Sequence, residues 1–347
     1  MVVEGALAAL ARDPELHLVL AGPAGLRPRW AAVAERVTLL PTDESVDMAD
    51  APVRAVRTRR TSVRLAVEAV RHGAAEAMVS VGPTGAVVAA AVTELGKLPG
   101  YRRPALAALL PAVAHPVVLL DVGAHASASD TDLVRHGRLG AAFARTVLGL
   151  ERPRVGLLSV GTEPGKGDSL RKKADHGLAA SGLHYVGLVE GHDVPLGGRA
   201  DVVVADGFTG NVVLKTLEGS LALAAAEGVT ALADRVPGRS ARRAAMLLGV
   251  TGTVVIGHGA AGPGDVADCI ALAAEAARGS YPARLRAMLD PSGTTPETTP
   301  TDAAGPHVVD DPTVDTNDGA PIEAAPAHAG RTPNRLQARM TAAPAAT

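Results

Sequence analysis

One unit of three parts recurs along this chain: a short apolar strand, a loop that contains glycine, and a stretch with helical spacing. The clearest copy is "DVVVADGFTGNVVLKTLEG", where Asp201 to Ala205 reads as a strand buried on both faces. Turn residues and a helix that ends at Gly219 follow. The other four copies begin with the strands "AEAMVSV", "PVVLLDV", "PRVGLLSV" and "TVVI".

These units predict an α/β fold of three layers, with a long, mainly parallel sheet between two layers of helices. Ligands of such sheets bind beyond the carboxyl ends of the strands, where we expect the five loops to converge. A helix N-terminus offers unpaired N–H groups and a partial positive charge, which favour an anion. Five convergent loops therefore favour an anion-binding site over the alternative that the glycines only allow the chain to turn from strand to helix.

Composition divides the chain into a folded part, residues 1–290, and a Pro/Thr/Ala-rich tail, residues 291–347. The tail holds 9 of the 25 prolines and no aromatic residue. Such a segment buries too little apolar surface to offset its ordering entropy, so we expect it to be disordered. With a net charge of -2 and few aromatic residues, we expect no nucleic-acid partner.

Cysteine usage and the absence of targeting signals predict a cytoplasmic protein. The single cysteine, Cys269, lies in a helical pattern and is expected to be buried. Metal-binding motifs are absent, so neither a metal nor another cofactor is expected. The N-terminus lacks a secretory pattern. The apolar stretch from Pro104 to Leu120 is interrupted, well short of the roughly 20 residues that cross a bilayer.

The loop "GTEPGKGDS" resembles a phosphate-binding P-loop only in part. Val160 stands where its first glycine belongs, and Gly167 where a hydroxyl side chain would hold magnesium. This disfavours a magnesium-nucleotide kinase. Lys166 can still bind an anion as a mobile charge.

The loop "GHGAAG", Gly257 to Gly262, matches the dinucleotide-binding pattern after a strand. That fold also needs a second strand about 20 residues later, and here a helix runs into the tail instead. A nicotinamide-dependent dehydrogenase of related fold therefore stays a minor alternative. His258 in this loop has a structural or an active-site role.

Charged residues supply further candidates. One run holds five arginines within eleven residues, and one or two of them could clamp phosphate while the rest attract an acidic partner: Arg54, Arg57, Arg59, Arg60 and Arg64. Four acids at predicted strand ends could cap helices or orient a catalytic group: Asp121, Glu163, Glu190 and Asp206. The sequence shows no nucleophile motif, which favours direct transfer to or from a bound anion.

Seven segments occur in the order and approximate spacing of the bacterial phosphate acyltransferases of phospholipid synthesis, which the chain resembles over about Val2 to Ala277. They are "PVRAVRTRR", "VSVGPTGA", "RPALAALLP", "LLDVGA", "PRVGLLSVGTEPGKG", "ADVVVADGFTGNVVLKTLEG" and "VIGHG". The resemblance implies an isopropylmalate dehydrogenase-like fold, a homodimer, and transfer of a fatty acyl group from acyl carrier protein to inorganic phosphate, giving acyl phosphate. It also implies peripheral membrane contact through the segment between "TLEG" and "LLG", which is shorter here.

The resemblance and the loop pattern together give a set of site residues. Lys166, Asn211 and His258 are the expected catalytic residues. Phosphate and the acyl thioester are expected at these positions: Arg57, Arg59, Gly82, Thr84, Gly85, Asp121, Gly123, Glu163, Asp206, Gly207, Thr209 and Gly210.

The chain also departs from the family pattern. The chain as given starts after the strand and acidic glycine loop that open the family, so we expect it to be less soluble and less active than a chain extended by upstream codons that encode them. Substitutions occur in four of the loops: Pro83, His125, Asp168, Ala260 and Ala261. These altered loops keep open a catalytically weakened paralogue that binds acyl carrier protein or phosphate.

Overall fold

A computed structural model describes residues 1–47, 50, 56–58, 60–228, 244–259 and 261–289. The chain divides into Met1–Thr295 and Pro296–Thr347, and the second unit lies outside the described residues. The predicted tail and most of the segment between "TLEG" and "LLG" also lie outside them, so both expectations stay predictions.

The main sheet has eight strands, and a smaller parallel pair stands apart from it. The pair is β1 (Leu18–Gly22) with β2 (Val37–Pro41), joined by a 3-10 segment, Ala24–Arg36. The strands of the main sheet are β3 (Ala77–Ser80), β4 (Ala105–Leu110), β5 (Val117–Leu120), β6 (Val155–Leu158), β7 (Tyr185–Val189), β8 (Val202–Val204), β9 (Ala244–Leu248) and β10 (Thr253–Gly257). Their order is β3-β10-β9-β4-β5-β8-β6-β7.

The described helices follow the predicted alternation with strands. They are α1 (Val2–Arg12), α2 (Ser62–Arg71), α3 (Thr84–Glu94), α4 (Asp130–Val147), α5 (Ser169–Ala179), α6 (Asp193–Leu196), α7 (Gly207–Ala226), α8 (Pro263–Arg278) and α9 (Tyr281–Leu289). One hydrophobic cluster joins the sheet to α4, α5, α8 and α9, and a second joins it to α2, α3 and α7. These clusters confirm the three layers.

The central strands of the main sheet are buried because helices cover both faces of that sheet. Every residue of β5 is buried, and so is every residue of β8. Continuous valine and leucine runs are typical of strands in such a position, in contrast to the alternating pattern of a half-exposed strand. Cys269 is fully buried in α8, as its helical pattern predicts.

Strand direction corrects the expectation that all five glycine loops converge. β3 and β10 are parallel to each other, and β5, β8, β6 and β7 form a second parallel set. Between the two sets, β9 and β4 pair antiparallel with their neighbours on both sides. The two sets therefore point in opposite directions, and their loops leave opposite edges of the sheet.

Two local predictions also need correction. The helix expected to end at Gly219 continues to Ala226, because Gly219 does not adopt the positive φ that ends a helix at glycine. Arg64 was expected, with its four neighbouring arginines, to clamp phosphate or attract an acidic partner. It pairs with Glu68 at 2.9 Å and with Glu94 at 2.7 Å, since α2 packs against α3 and brings Glu94 to it.

Candidate active site

The centre of the candidate site is the contact between the loop after β5 and the first turn of α7. Asn211 donates from Nδ2 to the carbonyl oxygen of Val122 at 2.9 Å. A Cβ built on Gly123 would stand 3.0 Å from the same nitrogen. The peptides of Gly207 and Gly210 approach the loop so closely that any side chain there would overlap its backbone oxygens. Glycine at these positions thus lets helix and loop meet.

Asp121 shapes the loop after β5. Its carboxylate accepts backbone N–H groups from Leu106, Gly123 and Ala124 at Oδ1 and from His125 at Oδ2, all within 3.0 Å. The side chain is 1 % exposed. Asp121 therefore holds the loop in place and presents no free oxygen edge to a ligand.

Asp206 caps α7, as its position at a strand end suggested. Its Oδ1 accepts the backbone N–H of Thr209 at 3.0 Å, and its Oδ2 accepts the Thr209 hydroxyl at 2.8 Å. A carboxylate in this position satisfies an N-terminal N–H group and complements the helix dipole. The expected ligands Asp206, Gly207, Thr209 and Gly210 thus form one compact turn beside Asn211.

Lys166 lies on the loop between β6 and α5, which leaves the same edge of the sheet. Its side chain is 53 % exposed, and Nζ stands 4.0 Å from the Glu163 carboxylate. The loop folds back on itself, since a Cβ on Gly161 would lie 2.9 Å from Glu163 Oε2. Lys166 is therefore a solvent-facing cation at the rim of the cluster.

Arg171 joins this loop to α7, and the sequence reading did not single it out. Nη1 donates to Asp168 at 2.9 Å, while Nη2 contacts Asp206 and donates to Thr209 Oγ1 at 3.1 Å. The signal in the sequence is weak, because an arginine in the first turn of a helix is usually solvated. Only the folded chain brings it to Asp206, 35 residues away.

The electrostatics of Asp206 follow from these contacts. Burial raises the pKa of its carboxyl group, but the hydrogen bonds from Thr209 and the charge of Arg171 outweigh burial. The pKa of Asp206 therefore lies below its usual value, and the group is a carboxylate at neutral pH.

A second group of predicted residues lies at the opposite edge of the sheet. It contains Gly82, Thr84 and Gly85 after β3, and His258 after β10. Pro83 precedes α3 and makes no side-chain cap. Of the expected arginine ligands, Arg57 is exposed and Arg59 lies outside the described residues.

Helix α7 connects the two groups. It begins at the edge that carries Asn211 and runs back across the sheet. Its Glu218 lies 3.7 Å from His258 Nε2 and 2.9 Å from Lys215 Nζ. Asn211 and Glu218 are two turns apart on one stripe of the helix, about 10 Å along the axis. His258 is therefore not part of the Asn211 cluster but lies along the same helix.

Solved structures with a similar fold include phosphotransacylases and a 4-hydroxythreonine-4-phosphate dehydrogenase. A phosphotransacetylase from Streptococcus pyogenes superposes with a TM-score of 0.58 at 18% identity, covering 79% of this chain and 91% of that one. A branched-chain phosphotransacylase from Enterococcus faecalis superposes with a TM-score of 0.52 at 15% identity, covering 79% and 94%. At such identities the likeness shows a shared α/β fold.

Sequence comparison goes further. The model of the "Fatty acid synthesis protein" family matches residues 1–232. A phosphate acyltransferase from Thermobifida fusca is 41% identical over 298 residues, 78% of this chain and 82% of that protein. One from Bacillus cytotoxicus is 44% identical over 221 residues, 63% and 67% of the two chains.

The chain belongs to the phosphate acyltransferase family. Membership in this family makes the protein an acyltransferase, as the motifs predicted. The dehydrogenase alternative gains no support: in the described part of the chain, β10 is followed by α8 and α9 and by no further strand. Within the described residues, no cluster of three potential metal ligands occurs and no helix is long and apolar enough to span a bilayer.

Proposed function

We propose that the protein transfers a fatty acyl group from acyl carrier protein to inorganic phosphate and so forms acyl phosphate for phospholipid synthesis. The observation that carries the proposal is the joining of two loops at one sheet edge. Hydrogen bonds through Arg171 and Asp206 hold the loop of Lys166 against the helix turn of Asn211. A mobile cation and an amide donor are thereby brought to one rim.

These residues suit attack of phosphate on a thioester. A phosphate oxygen bonds to the carbonyl carbon, the C–S bond breaks, and the thiolate leaves and takes a proton from solvent. Lys166 balances the charge of the phosphate. The Asn211 amide nitrogen carries two hydrogens, of which Val122 takes one, so the other can be donated to the developing oxyanion.

Apolar side chains beside the cluster suit the acyl donor. Phe208 is 68 % exposed and Val212 is 49 % exposed, and both lie on the turns of α7 that carry Asn211. Val160, in the loop of Lys166, is 82 % exposed. These three exposed side chains neighbour the polar residues along the chain, so an acyl chain bound here would have apolar groups to pack against.

A basic surface next to the cluster suits a carrier protein with an acidic surface. We define it by five residues on the loop before β4 and on α4: Lys97, Arg102, Arg103, Arg135 and Arg138. Arg103 contacts the carbonyl of Ser127, next to Ala126, whose carbonyl accepts the N–H of Phe208 at 3.1 Å. A charged partner docked here is steered toward the site.

The first test is chemical. The protein is incubated with acyl carrier protein thioester and labelled phosphate, and acyl phosphate is measured. We expect Lys166→Ala and Asn211→Ala to lower kcat/KM by about 10²- to 10³-fold without unfolding, because each removes one preorganised charge or donor from a loop or helix end. Arg145→Ala, an exposed change in the last turn of α4, is the control.

Activity of both variants within about threefold of the parent would remove these residues from the site. Absence of acyl phosphate from the unaltered protein would favour the weakened paralogue, for which the specific observation is the uncapped Pro83 at the start of α3.

The second test concerns the donor. Arg102→Glu with Arg138→Glu reverses two exposed charges of the basic surface. We expect KM for acyl carrier protein thioester to rise about tenfold at low salt and less at high salt, since screening weakens steering. KM for a small acyl thioester without a carrier should not change. Equal KM for the carrier substrate in both proteins would contradict docking on this surface.

The resemblance also supports a homodimer, a cytoplasmic location and weak peripheral membrane contact, and we include these in the proposal. Sedimentation of the purified protein tests the first, and flotation with vesicles containing anionic lipid tests the last.

A further inference from the structure

We infer that Arg171 is a positioning residue, which ties the N-terminal caps of α5 and α7 together and so fixes Lys166 relative to Asn211. Only the kinetic part of this inference rests on the proposed function. The positional part stands on the geometry of the two caps.

Two helix caps meet at this guanidinium. Asp168 caps α5 by accepting the backbone N–H of Arg171 at 2.8 Å, and its second oxygen accepts Arg171 Nη1 at 2.9 Å. Asp206 caps α7 through Thr209 and contacts Nη2. The planar guanidinium suits this task because its donors point in fixed directions and serve two carboxylates at once.

The chain makes room for this arrangement. Gly167 adopts φ +89, in the left-handed region that favours glycine. A Cβ there would stand 2.8 Å from Cβ of Arg171 and 2.8 Å from Oγ of Ser159. Glycine at this position therefore lets the Lys166 loop close over the arginine stem. The turn that carries Lys166 and the arginine that anchors it therefore depend on the same close packing at Gly167.

Arg171 differs from Lys166 in its relation to solvent. The Arg171 side chain is 13 % exposed and faces the carboxylates of Asp168 and Asp206, which balance its charge. Lys166 is largely exposed and has one distant acidic neighbour. The arginine is thus committed to protein groups, while the lysine remains available to an anion. This division separates positioning from binding.

Substitution should therefore loosen the Lys166 loop. In Arg171→Ala, Asp206 keeps its Thr209 contacts but loses its cation, and α5 loses its link to α7. In Arg171→Lys a single ammonium cannot reach both carboxylates in two fixed directions. Asp168→Asn keeps a good helix cap and removes only the charge that pairs with Arg171. Lys173→Ala, an exposed change on the same helix, is the matched control.

The function-independent test is hydrogen exchange read by mass spectrometry. We expect peptides covering residues 160–168 and 206–212 to exchange about tenfold faster in Arg171→Ala and at the parent rate in Lys173→Ala. Unchanged exchange in both peptides of a folded Arg171→Ala protein would overturn the inference. If that variant does not fold, Asp168→Asn and Arg171→Lys are measured in the same way and must show faster exchange in the 160–168 peptide.

The kinetic test uses acyl phosphate formation. We expect kcat to fall about 10²-fold in Arg171→Ala. Millimolar guanidinium ion should then raise the kcat of this variant at least tenfold and should leave the kcat of Lys173→Ala unchanged. A folded variant with parent kcat, or one that guanidinium does not rescue, would contradict the positioning role. If the parent enzyme makes no acyl phosphate, the proposed function fails, and the exchange result alone decides on Arg171.

Discussion

Gly210 shows how one missing side chain shapes the site. Its α-carbon faces the carbonyl of Asp121 so closely that even a methyl group would overlap a backbone oxygen. Backbone atoms cannot rotate away as a side chain can, so the helix or the loop would have to move. Gly219 lies on the same helix with nothing within 4 Å of the corresponding point.

We therefore predict opposite effects for the same change at these two glycines. Gly210→Ala should lower the free energy of unfolding by at least about 1–3 kcal/mol through overpacking, and should reduce turnover because Asn211 moves. Gly219→Ala should raise it by about 0.5–1 kcal/mol, since alanine is favoured over glycine within a helix. Urea unfolding of the three proteins measures both. Equal stability of the two variants would contradict the close contact at Gly210.

At this scale the sequence predicted only some of the residues that gather, those after β5, β6 and β8, and not what each of them does. Asp206 was expected to cap a helix, and it does, because a cap depends on neighbours three residues away. Asp121 holds a loop through four N–H groups, and its expected contact with substrate stays a prediction. Arg171 was not expected at all. Its partner Asp206 is distant along the chain, and such contacts leave no periodic signal.

The elements themselves were predictable where local pattern decides them. Each apolar run became a strand, and each glycine loop led into a helix. The direction of the strands was not predictable, because the sequences of β4 and β9 show the same apolar pattern whether the strands pair parallel or antiparallel. The prediction that all five glycine loops converge was wrong for that reason.

Helix α9 shows that the folded part extends to the end of the described residues. Tyr281 is 3 % exposed and meets Phe143 edge to face, with ring centroids 5.8 Å apart, and Leu285 is 2 % exposed. Both side chains fill the core beside α4.

Two truncations test this boundary. A chain ending at residue 280 loses α9, and its free energy of unfolding should fall by more than about 3 kcal/mol, because a buried Tyr and a buried Leu are removed. A chain ending at residue 290 should match the full chain in Tm and turnover, since the deleted tail lacks a core-forming pattern. A fall in Tm of more than about 5 °C for the chain ending at residue 290 would show that the tail docks.

The whole molecule should lose stability in acid in two steps. Burial lowers the pKa of His136, which is 1 % exposed in α4. Its imidazole is neutral in the folded protein, whereas the unfolded chain takes up a proton below about pH 6.5.

Burial raises the pKa values of Asp132, Asp201 and Asp206, but hydrogen bonds and neighbouring cations lower them further than burial raises them. Their contribution is present above about pH 4 and is lost as pH falls through the lowered values.

Urea unfolding at pH 7.5 and pH 5.5 isolates the first step. We predict a loss of up to about 1.4 kcal/mol per pH unit from His136 over this range, and a smaller loss in His136→Gln. The amide can still donate to the Arg103 carbonyl that His136 Nε2 faces at 3.2 Å. An identical pH dependence in both proteins would mean that other groups govern this step.

The length of α7 makes the two edges of the sheet mechanically dependent on each other. The helix is a single stiff rod, with Asn211 touching Val122 near one end and Glu218 facing His258 two turns further along. A slide of one turn, about 5.4 Å, would break both contacts in the same movement. A movement of α7 that rearranges the loops at one edge of the sheet would therefore also displace the contacts at the other edge. A rigid helix transmits such a displacement, whereas a flexible connection would absorb it.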